Sequence, residues 1–109
     1  MRVRFTRAAR LDLQVIADYL TREYGGAVAR RFSRSLRGAA LSLRDHPKRA
    51  LVVGSIGAHE LRRLISAPYA ILYEVSGTDI FVVRILHGAQ DIDRILSELG
   101  AVRPPSDEQ

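Results

Sequence analysis

The stretch RILHGAQDID, residues 84–93, places Arg84, His87, Gln90 and Asp91 within one short segment. Histidine is the side chain whose unperturbed charge change falls near neutral pH. Arginine stays protonated and presents a planar fork suited to carboxylates and phosphates. HELRRLI adds two more cations, Arg62 and Arg63, and PYAILYEV adds a carboxylate, Glu74. Such a set can hold catalytic groups, grip a partner, or only close a strand.

Other chemistries are poorly supplied. His46, His59 and His87 have no partner at metal-ligand spacing and there is no cysteine, so no metal site is expected. His46 reads as a helix C-terminal residue, where a cation is favoured. GSIG at 54–57 is too short for a phosphate-binding glycine loop. No serine, Ser66 included, stands in a nucleophile-elbow pattern. No cofactor is implied.

The 109 residues allow one domain, and 47% hydrophobic with 27% charged residues is ordinary for a soluble globular chain. No apolar run is long enough to span a membrane, and MRVRFTRAAR lacks the apolar core of a signal peptide. The absence of cysteine fits the cytoplasm and excludes disulfides. The net charge is +5, and every basic residue except Lys48 is arginine. A small basic domain points to nucleic acid or an acidic protein partner, set against the plainer reading of a solvated surface.

The elements that must position these groups follow from periodicity. MRVRF alternates and predicts a short first strand; Thr6 can cap the helix after it. Leu11, Val15, Ile16, Tyr19 and Leu20 recur at helical spacing, and Gly25-Gly26 ends that helix. A second helix runs from about 27 to 45, with Val28, Phe32, Leu36, Ala39 and Leu43 on one stripe and Arg30, Arg34, Arg37 and Arg44 opposite. The hairpin is expected to pack through Leu11, Ile16, Tyr19, Phe32, Leu36 and Leu43. KRALVVGSIGAHE is a loop or an irregular strand. HELRRLI, PYAILYEV and IFVVRIL read as three strands of an antiparallel meander, and residues 91–99 as a short last helix. The fold class is therefore α+β: an N-terminal strand, a helical hairpin packed on a small antiparallel sheet, and a short C-terminal helix. The domain spans 1–99, and the polar, Pro-containing 100–109 is expected as a disordered tail.

In a strand Arg62 and Arg63 point to opposite faces. Arg84 lies inside an apolar strand, so its charge must face water or meet a carboxylate, with Glu74 the nearest candidate. A Glu74–Arg84 cross-strand pair with no other role and a functional role both remain open. By alternation Arg84 and His87 face opposite ways unless a bulge intervenes. Alone, His87 reads as a strand-end histidine and Asp91 as a helix N-cap.

Taken in order, ELRRL, APYAILYEV and VVRILHGAQDI within a β-α-α-β-β-β chain resemble the RelE/ParE superfamily of toxins from bacterial type II toxin–antitoxin pairs. The resemblance covers residues 1 to about 99. It implies one of two activities: ribosome-dependent cleavage of messenger RNA, as in RelE-like members, or inhibition of DNA gyrase, as in ParE-like members. It also implies a ParD-like antitoxin partner with an acidic flexible segment, a toxin–antitoxin hetero-oligomer, and a role in plasmid stabilisation. RelE-like nucleases usually carry arginine after the tyrosine of the PYA position, a basic residue near the turn after the last strand, and lysines on the second strand. This chain has Ala70, Gln90 and only Arg62 and Arg63 there. A methyl and a neutral amide cannot stabilise a pentavalent phosphate as a guanidinium does.

These departures favour a ParE-like toxin that binds DNA gyrase rather than an enzyme. Arg62, Arg63, Glu74, Arg84, His87, Gln90 and Asp91 are then candidates for contact with target or antitoxin. The alternative is a ribosome-dependent endoribonuclease using His87, Arg84 and Arg63. A non-toxic interaction module on the same fold is the third reading.

Overall fold

The alternation of MRVRF produces β1 (Arg2–Phe5), and Thr6 ends it. Two bonds explain the stop. Thr6 Oγ1 donates to Val83 O at 2.9 Å, and it accepts the Ala9 N–H at 3.1 Å, which caps α1 (Arg7–Tyr24). Such a cap contributes about 0.5–2 kcal/mol. Gly25, at φ +92°, turns the chain directly into α2 (Gly26–Ser42), a backbone conformation that disfavours any side chain. The expected helix to Asp45 ends at Ser42; the next three residues close a tighter turn through Leu43 N–H to Ala40 O, Arg44 N–H to Leu41 O and Asp45 N–H to Ser42 O. The computed structural model describes residues 1–88 and 92–104.

Four strands follow as a meander: β2 (Leu51–Ile56), β3 (His59–Ser66), β4 (Tyr69–Ser76) and β5 (Asp79–His87). The uncertain segment KRALVVGSIGAHE thus supplies β2, whose pairing with β3 shifts register between Val52 and Gly54. The sheet order is β1-β5-β4-β3-β2, with β1 parallel to β5 and the other pairs antiparallel. The final helix is α3 (Ile92–Glu98).

Both faces of the sheet are covered. On one, Ala9, Leu13, Leu36 and Ala40 of the hairpin bury against Tyr69, Ile71, Val82 and Ile85, with Leu43 on Tyr73 and Ile80 beside them. On the other, Ile92, Ile95 and Leu96 of α3 pack on Leu61, Leu72 and Leu86. Double coverage explains why β4 is buried at every position from Tyr69 to Tyr73.

Three expectations are corrected. First, α1 uses Ala9, Leu13, Ile16 and Leu20 toward the core, while Leu11, Val15 and Tyr19 are 57%, 66% and 45% exposed. Apolar residues span two sides of this helix, and periodicity alone does not say which side meets the sheet. Second, Arg84 does not pair with Glu74. An extra residue, Val83, separates the pairs Leu72–Arg84 and Tyr73–Val82, so Glu74 stands opposite Phe81. Third, the start of the expected tail is fixed: Val102 and Ser55 exchange backbone hydrogen bonds at 2.7 and 2.8 Å. Gly54 makes this approach possible, since a Cβ there would stand 3.1 Å from Val102 O. Residues 105–109 lie outside the described residues, as do Gln90 and Asp91.

Candidate functional site

A concave surface lies where α1 meets the ends of β4 and β5. Tyr69 and His87 are opposite one another in the β4–β5 ladder, and their rings meet edge to face with centroids 5.4 Å apart. Phe32 of α2 approaches Tyr69 in the same manner at 6.2 Å, and Tyr19 and Tyr24 of α1 stand 6.5 Å apart. Edge-to-face pairs of this kind contribute about 0.5–1.5 kcal/mol beyond their burial. Val15, Ile16, Asp18, Tyr19, Arg22, Tyr69 and His87 enclose a groove of about 560 Å³. A second hollow of about 400 Å³ shares Tyr19, Tyr69 and His87 and extends over Tyr24, Val28, Arg31 and Phe32. Together they make one aromatic ledge whose outer lip is the exposed stripe of α1. Burial pushes the Tyr69 phenol above its ordinary pKa, with smaller pushes from Tyr19 and Tyr24.

Arg84 is tied down between α1 and α3. Its Nε and Nη2 meet the Asp12 carboxylate at 2.8 and 3.1 Å, and its Nη1 lies 3.9 Å from Glu98 of α3. The bond to Asp12 holds the guanidinium above its ordinary pKa, outweighing the opposite effect of burial. Asp12 does a second job. β1 stops at Phe5, which leaves the end of β5 without a strand neighbour on its outer edge, and Asp12 Oδ2 accepts the Ile85 N–H at 2.9 Å there. The carboxylate that Arg84 meets is therefore Asp12 and not Glu74. The available signal was an acid at position 12, adjoining the buried arc of Ala9, Leu13 and Ile16.

The other candidates divide between the faces. Arg62 turns toward the loop after α2, donating to Lys48 O at 3.1 Å and Ala50 O at 2.8 Å and pairing with Glu60 at 3.2 Å. Arg63 faces the α3 side, lining a hollow with Val52, Ile92 and Arg103, and its buried Nε has no hydrogen-bond partner among the described residues. Arg63 and Arg84 flank Leu72 in one cross-strand row. His87 is on the hairpin side with Tyr69, so it does not join that row. Ala70 is fully buried. Among the described residues no group of three His, Asp or Glu stands close enough to hold a metal ion.

Fold and site define a small α+β domain with an aromatic groove beside a helical hairpin. The family model for the ParE toxin of type II toxin–antitoxin systems, parDE, matches residues 3–92. Toxin RelE2 of Caulobacter vibrioides is 34% identical over 87 residues, 79% of this chain and 93% of that protein. A solved structure of the chromosomal ParDE TA system from P. aeruginosa superposes with a TM-score of 0.67 at 20% identity, covering 81% of this chain and 96% of that one, which supports the fold. The chain belongs to the ParE toxin family of type II toxin–antitoxin systems, within the RelE/ParE superfamily. Membership implies an antitoxin partner. No helix among the described residues is long and apolar enough to cross a membrane.

Proposed function

We propose that this toxin acts by binding, with DNA gyrase as its target, and that an acidic segment of its antitoxin neutralises it. The separation of the candidate catalytic groups carries the reading. Metal-free RNA cleavage needs an acid–base group and a cation converging on one phosphate. Here His87 lies on the hairpin side of the sheet, Arg63 lies on the α3 side, and the Arg84 fork is occupied by Asp12. The PYA position, which is cationic in RelE-like nucleases, holds the buried methyl of Ala70. A binding toxin needs none of these to converge. The aromatic ledge supplies what a protein interface requires: rigid aromatic anchors around a groove, with Arg22 and Arg31 at its rim. An antitoxin helix would lay its apolar side along Val15 and Tyr19. The bound pair is a hetero-oligomer in the cytoplasm.

The test is primer extension on messenger RNA from translating ribosomes exposed to purified toxin. We expect no codon-linked cuts. Cuts abolished by His87→Ala would establish the endoribonuclease reading instead.

A further inference from the structure

The solvent side of the hairpin carries a second groove that shares no lining residue with the aromatic ledge. Arg30, Arg34 and Arg37 of α2 form one wall, and the floor is small: Ala17, Thr21, Gly26, Ala29 and Ser33. We propose that this arginine face of α2 binds the phosphate backbone of duplex DNA.

Five observations support it. Helix α2 contains Arg30, Arg31, Arg34 and Arg37 and no acidic residue, so it holds +4 where the whole chain carries +5. Helix α1 has Arg7, Arg10 and Arg22 against Asp12, Asp18 and Glu23, a balance of zero, so the net charge of the hairpin is carried by α2, with Arg30, Arg34 and Arg37 on this face and Arg31 at the rim of the ledge. Arg30, Arg34 and Arg37 are exposed and recur at helical spacing, about 6 Å apart for a four-residue step, which sets the guanidinium groups in a row. At the far end the Arg37 guanidinium lies over the Phe5 ring at 5.6 Å, and Arg10 donates to Phe5 O at 2.7 Å, so the row continues onto α1. Finally, the lining has no large apolar side chain.

That last feature decides the occupant. A protein partner, even an acidic one, draws most of its affinity from apolar or aromatic anchors in pockets, and those anchors are on the ledge. A phosphate backbone needs guanidinium forks, small residues that allow close approach, and hydroxyl donors such as Thr21 and Ser33. The inference does not depend on which target the ledge serves.

The experiment is fluorescence anisotropy of a labelled duplex titrated with the full chain across a salt series. The triple variant Arg30→Gln, Arg34→Gln, Arg37→Gln is compared with a charge-matched control, Arg2→Gln, Arg44→Gln, Arg103→Gln. We expect the triple variant to lose about tenfold or more in affinity, and its slope of log affinity against log salt to flatten by up to about 2.7, that is 0.9 for each lost contact. The control should keep most of the slope. Should the triple variant fold poorly, Arg34→Gln alone must flatten the slope by about 0.9. Equal losses in triple variant and control, no binding by the unaltered chain at low salt, or equal binding to polyglutamate would each overturn the proposal.

Discussion

Arg84 owes its position to Asp12, and a single substitution tests the dependence. Asp12→Ala removes two charge-assisted bonds and leaves the Ile85 N–H at an uncovered strand end. We expect a loss of about 1.5–3 kcal/mol in urea denaturation, reflecting hydrogen bonds to a charged group in a partly wet site. An Asp12→Ala chain as stable as the parent would remove Asp12 from the account. Tyr69 gives a pH test. Its folded pKa is raised by burial, so its contribution is fully present below the unfolded value near 10 and is lost as pH rises through the higher folded value. The melting temperature should therefore fall at strongly alkaline pH, and Tyr69→Phe should reduce that fall. The demand of Arg84 for a carboxylate was legible in the sequence, because a charge inside an apolar strand must be answered. The donor was not legible: Asp12 is 72 residues away and reaches β5 only after Thr6 turns the chain into α1. Gln90 and Asp91, named for the same segment, fall outside the described residues.

At the scale of elements, α1 has two apolar sides that answer to different partners. Ala9, Leu13 and Ile16 pack in the core on the sheet and Leu20 is buried on the same side of the helix; Leu11, Val15 and Tyr19 face solvent. Leu36→Ala, deep under α2, should cost about 2–5 kcal/mol by thermal or urea melting. Val15→Asp should leave stability within about 0.5 kcal/mol, as surface changes do. In calorimetry with the antitoxin, the same change should weaken binding by about 2 kcal/mol, roughly thirtyfold, as loss of an interface anchor does. An unchanged antitoxin affinity would move the interface away from this stripe. Most elements were readable in advance because their patterns are clean: the alternation of MRVRF, the basic stripe opposite the apolar one on α2, and the apolar run of β5, interrupted only by Arg84. β2 was not, because Gly54 and a register shift break its alternation. The phase of α1 was not, since hydrophobicity reports that a side chain prefers cover and leaves open whether its own sheet or another molecule provides it. The cover that α3 gives the second sheet face was likewise hidden, because which strands its short apolar run meets is a long-range fact.

For the whole molecule, the arrangement separates stability, recognition and charge. The core lies on both sides of β4 and β5, the aromatic ledge opens at one end of the hairpin, and arginines line its outer side. Arginine excess on a small domain should speed encounter with an acidic antitoxin segment, and the association rate should fall between low and high ionic strength, where screening shortens the reach of the field. The central claim is that this chain is a toxin by binding and that gyrase is what it binds. It is tested most directly by gyrase supercoiling of relaxed plasmid with increasing purified toxin, alongside His87→Ala. The account predicts dose-dependent loss of supercoiling that His87→Ala retains to within a few-fold, because no proton transfer is involved. Supercoiling unchanged at toxin concentrations that arrest growth would contradict it.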